Sequence, residues 1–231
     1  MINKFTFTKK IKYFFLKNCY EILVIALLFH LYGSLFFGDL KFYGNYIRII
    51  NTIFLYSAST ISFLNLERKR LKIGKIIILF LFSLNLTLLF FDKDSFFLEI
   101  RDFSFLIFLM LTLYNIAKFL ISPHRFDKAL IFSSIAGYLL IIEIAVRGFI
   151  LLYKLEGNQI LNNVDFSFHT NTFIDTVYYC TVTITSIGFG DILPISHKAK
   201  MLTSLLGLVG QFYLVIIMGI MVSKFISSNQ K

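Results

Sequence analysis

An all-α, multi-span membrane protein is the fold class this sequence predicts, and three observations carry it. Apolar residues make up 57% of the 231 residues, and the mean hydropathy is +0.77. Only 2 prolines and 12 glycines interrupt the chain, so long helices can run unbroken. The apolar residues gather into six runs, each near the roughly 20 residues that a helix needs to cross a bilayer. Transmembrane helices are therefore expected at 21–37, 46–64, 76–91, 103–121, 129–153 and 201–225. The third run is short and the second is rich in Ser and Thr. The stretch 154–200, between the fifth and sixth runs, is too long for a turn and suits a loop that dips into the membrane and returns.

Charge sets the orientation. With both termini placed in the cytoplasm, 15 of the 23 Lys and Arg residues fall inside: five in 1–20, five in 68–75, three in 118–128 and two in 224–231. Only Glu21, Glu67 and Asp127 oppose them, whereas the outer segments hold seven basic and nine acidic residues. That asymmetry is the positive-inside pattern of a multi-pass protein of the plasma (inner) membrane. The net charge of +10 is scattered over short loops and chain ends. It points to anionic lipid headgroups as partners and away from nucleic acid. The basic segment 1–20 lacks a small-x-small cleavage site and is expected to stay on the chain. Within it, Phe5 to Phe15 reads either as an amphipathic interfacial element or as a disordered basic tail. Cys19 and Cys180 are placed on opposite sides of the bilayer, which argues against a disulfide within the chain.

Thr183 to Asp191 reads T-I-T-S-I-G-F-G-D. Alternating glycines can take φ values closed to other residues, so successive carbonyls can face one axis. The run resembles the T-x-x-T-x-G-[YF]-G-D signature of the tetrameric potassium channels at Thr183, Ser186, Ile187, Gly188, Phe189, Gly190 and Asp191. The resemblance extends over about 129–227, under half of the chain. It implies a re-entrant pore helix at 175–185 whose C-terminal dipole end faces the cation path, followed by a selectivity filter. One loop supplies a quarter of a filter, so a homotetramer is implied. The carbonyls of Ser186, Ile187, Gly188 and Phe189, with the Ser186 hydroxyl, would be the potassium ligands, and Gly190 completes the filter. Potassium is then the permeant ligand, and no cofactor is expected. Tyr178 and Tyr179 stand where the family often has two tryptophans. Together with Thr185 and Asp191 they would support the filter, the Tyr178 hydroxyl donating to Asp191. Pro194 follows the filter at the usual distance. Gly210 falls at the family's gating-hinge glycine, within G-Q-F-Y, and Leu214, Met218 and Val222 below it would line the inner pore. Three departures stand out: Ser186 for the usual Thr, Phe189 for Tyr, and Val182 where some bacterial relatives have Glu.

The chain thus divides into a basic segment at 1–20, a four-helix membrane region at 21–128 and a pore domain at 129–231. The second boundary is marked by S-P-H-R-F-D-K. A voltage sensor needs basic residues at every third position of its fourth helix, and the run 103–121 offers Lys118 alone. Little voltage dependence is expected. After Phe225 six residues remain, so a cytoplasmic ligand-binding domain is not expected in this chain. Glu143 and Arg147, at i and i+4 in the fifth run, read as a brace to the pore helix or as mutual neutralisation. His30 reads as a hydrogen-bonded packing residue, and His169 and His197 flank the outer mouth. The His, Cys and acidic residues show no hydrolase or metal-ligand spacing, so no enzyme is expected. Passive potassium conduction is the leading reading. The alternatives are a weakly selective cation channel and a non-conducting membrane sensor or scaffold.

Overall fold

The computed structural model describes residues 14–64, 72–88, 95–122, 126–157, 159–164, 166 and 169–229. Most of Phe5–Phe15, the basic residues Arg68 to Arg70, the Pro123–Arg125 break and Lys231 lie outside them. Among the described residues the chain is all-helical, built on α1 (Cys19–Tyr32), α2 (Arg48–Leu64), α3 (Lys72–Leu88), α4 (Ser95–Ile121), α5 (Lys128–Glu156), α6 (His169–Ile184) and α7 (His197–Asn229).

Each predicted apolar run is helical over its described residues. A π turn at Tyr43–Ile47 extends the second run back to Leu40, and the Asp39 carboxylate caps its start by accepting from the Lys41 and Phe42 N–H groups at 2.9 and 3.1 Å. Asp127 caps α5 in the same way, accepting from the Leu130 N–H at 2.9 Å. Among the described residues, five stretches are long and apolar enough to cross a membrane: Cys19–Phe36, Leu40–Leu64, Glu99–Ile121, Lys128–Glu156 and His197–Ser228. The described part of the third run is α3, with a shorter apolar stretch at Gly74–Leu88; residues 65–71 and 89–94 on either side of it lie outside the described residues.

Helix α1 lies between α2 and α5, burying Leu23, Ala26, Leu27 and Leu31, while α4 packs on α3, α2 and α5. Polar side chains tie the helices where apolar packing alone gives little preference within lipid. Asn85 of α3 accepts from Tyr56 of α2 at 3.3 Å and from Ser104 of α4 at 2.9 Å. Lys154 of α5 meets Asp102 of α4 at 2.5 Å. At the other end, the Lys224 ammonium of α7 donates to the Leu120 and Ser122 carbonyls at 2.8 and 2.9 Å, closing the C-terminal end of α4.

A buried polar triad of Glu143, Arg147 and His30 joins the two halves. The Arg147 Nε donates to Glu143 Oε1 at 2.7 Å, and His30 Nε2 of α1 lies 3.2 Å from the same oxygen and 2.9 Å from Arg147 Nη2. The guanidinium also sits over the rings of Phe105 in α4 and Phe173 in α6, at 4.7 and 5.4 Å. The Glu143–Arg147 pair therefore reaches four helices. Cys19 and Cys180 are buried and form no disulfide.

Helix α6 is wedged between α5 and α7. Helix α7 is the exception to the packed core: 11% of its apolar window is buried, against 67% for α5, so most of its apolar surface awaits another cover.

Candidate functional site

Helix α6 begins at His169 and ends at Ile184, six residues earlier than the sequence predicts at its start. Within it the Thr176 hydroxyl, fully buried, bonds back to the Thr172 carbonyl at 2.6 Å and so is satisfied inside its own helix. At its other end the chain reverses into Thr185–Asp191, all of it exposed.

The backbone of this segment is unusual. Ser186, Gly188 and Gly190 have φ of 59°, 58° and 81°, whereas Ile187 and Phe189 between them do not have positive φ. The left-handed region is routine for the glycines, but a side chain there costs roughly 1–2 kcal/mol, so Ser186 is held against its preference. Hydrogen bonds supply the hold. The N–H of Ser186 donates to the Thr183 carbonyl at 3.0 Å, and those of Ile187 and Gly188 to the Val182 carbonyl at 3.0 and 3.4 Å. In a trans peptide the preceding carbonyl points opposite to the N–H. The carbonyls of Thr185, Ser186 and Ile187 therefore point away from α6. Alternating the sign of φ keeps successive peptides on one side, where an extended strand would alternate them.

The outer end of the segment is tied on two sides. Tyr178 Oη donates to Asp191 Oδ2 at 2.8 Å, the brace read from the sequence. Asn163 Nδ2 donates to the Asp191 carbonyl at 2.8 Å, and the Leu193 N–H donates to Asn162 Oδ1. Ile195 N–H to Ile160 carbonyl, at 2.8 Å, and the bridge between Leu161 and Pro194 complete a clasp between the chain entering α6 and the chain leaving the segment. Tyr178 is thus one of several polar ties rather than the main one. Tyr179 faces the other way, its hydroxyl 2.6 Å from Thr203 Oγ1 of α7. The Thr185 hydroxyl turns back to the Thr181 carbonyl at 2.7 Å. Between α6 and the segment lies a hollow of about 280 Å³ bordered by Tyr178, Val182 and Phe189.

Helix α7 runs unbroken past Gly210, which is buried against α6. A Cβ there would lie 2.3 Å from Ile184 Cγ1 and 3.2 Å from the Ile184 carbonyl oxygen, so this glycine permits close approach of the two helices. Leu214, Met218 and Val222 are 42%, 66% and 52% exposed along α7. The next residue after Gly210, Gln211, donates from Nε2 to Ser186 Oγ at 2.8 Å. Sequence reasoning missed Gln211, Asn162 and Asn163, whose partners lie 25 to 31 residues away. A single amide gives no periodic signal. It also missed Tyr32 of α1, whose hydroxyl reaches Thr181 of α6 at 2.9 Å.

Toward the start of α6, a separate cavity of about 180 Å³ is lined by Arg48, Arg101, Asp102, Arg147, Lys154 and His169, among others. Burial, and then the Arg48 guanidinium beside it, holds the His169 imidazole below its ordinary value. His197 starts α7.

Comparison with known proteins agrees with this geometry. Residues 138–227, covering most of α5, all of α6, the exposed segment and nearly all of α7, match a family described as Ion channel. Residues 138–227 are thus similar to an ion-channel module, and the resemblance carried by Thr183–Asp191 falls inside the matched stretch. A stretch of 50 residues is 44% identical to an uncharacterized protein of Methanothermus fervidus, covering 22% of this chain and 8% of that protein. The match thus spans a small fraction of that relative's length. No solved structure matches the chain.

Proposed function

We propose that four copies of this chain ring a common axis and form a potassium-selective channel, with one Ser186–Gly190 segment from each as the filter. The observation that carries this reading is the alternation of φ at Ser186, Gly188 and Gly190, at 59°, 58° and 81°. A strained serine between tied peptides is the arrangement that lines up carbonyls, and four such rows replace the hydration shell of a dehydrated cation. The carbonyls of Ser186, Ile187, Gly188 and Phe189 are the ligands, α6 is the re-entrant pore helix, and α7 lines the inner pore with Leu214, Met218 and Val222.

Exposure supports the ring. Ile187 and Phe189 are 56% and 69% exposed in the single chain, beside a hollow that side chains of a neighbouring copy can fill. The bare face of α7 gains both a pore lining and a subunit contact in the same step. Helices α1 to α5 and α7 make six spans with both termini in the cytoplasm. Conduction is passive, Gly210 is the point at which α7 bends on gating, and voltage dependence is slight because α4 carries no ladder of basic residues.

The test is ion flux from vesicles holding the purified protein. Vesicles loaded with potassium are expected to lose it rapidly on dilution, whereas sodium-loaded ones retain theirs. Equal loss of both ions would favour the weakly selective cation channel, and loss of neither would favour a non-conducting scaffold.

A further inference from the structure

Ser186 carries the one side-chain oxygen among the proposed potassium ligands, and its own chemistry leaves that oxygen poorly fixed. Serine lacks the β-methyl that restricts a threonine to few χ1 wells, so its hydroxyl is free to swing away from an ion. The structure supplies a substitute from another element. Gln211 Nε2 donates to Ser186 Oγ at 2.8 Å across 25 residues, on the exposed side of both segments. A hydroxyl oxygen has two lone pairs. One accepts from the glutamine amide, and the other remains for a cation.

The contact depends on how closely α7 approaches α6. Gly210 lies against Ile184, where a Cβ would come within 2.3 Å of Ile184 Cγ1. That approach brings the following residue of α7 to the second residue beyond α6. We propose that Gln211 is a positioning residue for the innermost potassium site: it fixes the Ser186 hydroxyl as a ligand and links displacement of α7 to the quality of that site. A tilt or rotation of α7 at Gly210 moves the amide with it and releases the hydroxyl. Ion selectivity at the inner end of the filter is then sensitive to the position of the gating helix. The inference rests on the potassium-channel reading and deepens it.

The test is the permeability ratio of potassium to sodium from reversal potentials of the purified protein in bilayers. Wild type is measured first. A wild type that does not prefer potassium overturns the channel reading itself, and this inference with it, before any variant is made. Given a selective wild type, Gln211→Leu is expected to lower the ratio about fivefold, the change that one net hydrogen bond makes. The same substitution is expected to change nothing further on a Ser186→Ala background, where there is no hydroxyl to hold. Ser186→Thr is expected to restore most of the ratio in the Gln211→Leu protein, because the β-methyl then restricts the hydroxyl. A merely structural glutamine would not be rescued in this way. Should Gln211→Leu fail to assemble, Gln211→Met, unbranched and without a donor, takes its place with the same expectations. An unchanged ratio on loss of the amide, or an equal loss with and without the Ser186 hydroxyl, overturns the proposal.

Discussion

Removing the Glu143 carboxylate is expected to destabilise the protein severely, and removing its partner as well is expected to repair much of the damage. Glu143 is fully buried, and its Oε1 accepts from Arg147 Nε at 2.7 Å while lying 3.2 Å from His30 Nε2. In Glu143→Leu the guanidinium, 15% exposed, keeps His30 and the faces of Phe105 and Phe173, with the Asp102 carboxylate acting on it from further off. Cation–π contacts are worth about 0.5 to 2 kcal/mol and do not replace a carboxylate. Leaving one member of a buried ion pair costs about 3 to 5 kcal/mol. At about 2 to 4 °C per kcal/mol for a chain of this size, the midpoint should fall by roughly 6 to 20 °C. Arg147→Leu strands the carboxylate and should cost a similar amount. The double variant removes both charges, and its cost should be well below the sum of the two. The assay is the fraction of detergent-solubilised protein that still elutes at its native size after heating to a series of temperatures. Additive losses in the double variant would show that Glu143 and Arg147 act independently and would refute the reasoning.

Three further outcomes are expected. Tyr178→Phe should fold and assemble but inactivate faster as external potassium is lowered, because the Tyr178 to Asp191 bond at 2.8 Å is lost; currents equal to wild type at every potassium concentration would mean that Asn163 alone suffices. Gly210→Ala, despite the helix-propensity gain of up to about 1 kcal/mol, should lower the thermal midpoint through an overpacking cost of about 1 to 3 kcal/mol against Ile184, and an unchanged midpoint would remove the close approach from the account. His169 should make stability fall with acidity. Its folded-state value is held below the ordinary 6.5 by burial and Arg48, so the unfolded chain binds the proton more readily, and stability is full above about pH 6.5 and declines as pH falls toward the folded-state value. Thermal midpoints across that range should drop less in His169→Gln than in wild type, and identical profiles would discard the effect.

Much of the fold was legible because lipid demands long apolar helices and the sequence has few breakers to hide them. The third run is helical over its described residues, Lys72–Leu88. The start of α6 was invisible because His169 to Thr172 is polar and leaves no apolar pattern. The backbone of the candidate site was legible at Gly188 and Gly190, because left-handed φ leaves its mark as glycine, but not at Ser186, which takes φ of 59° without one. Its side-chain ties were not. His30 meets Arg147 from 117 residues away and Gln211 meets Ser186 from 25, and no local propensity encodes a partner at such distance. Glu143 and Arg147, one helical turn apart, could be paired from spacing, but not the four helices that their pair reaches.

The central claim is that Ser186 to Gly190 of four chains selects potassium, and the bi-ionic reversal potential tests it most directly. With potassium on one side of the bilayer and sodium on the other, at equal concentration, the account predicts a potassium preference of at least about tenfold, about 1.4 kcal/mol. That preference displaces the reversal potential from zero by about 59 mV or more. Current reversing near zero would contradict it.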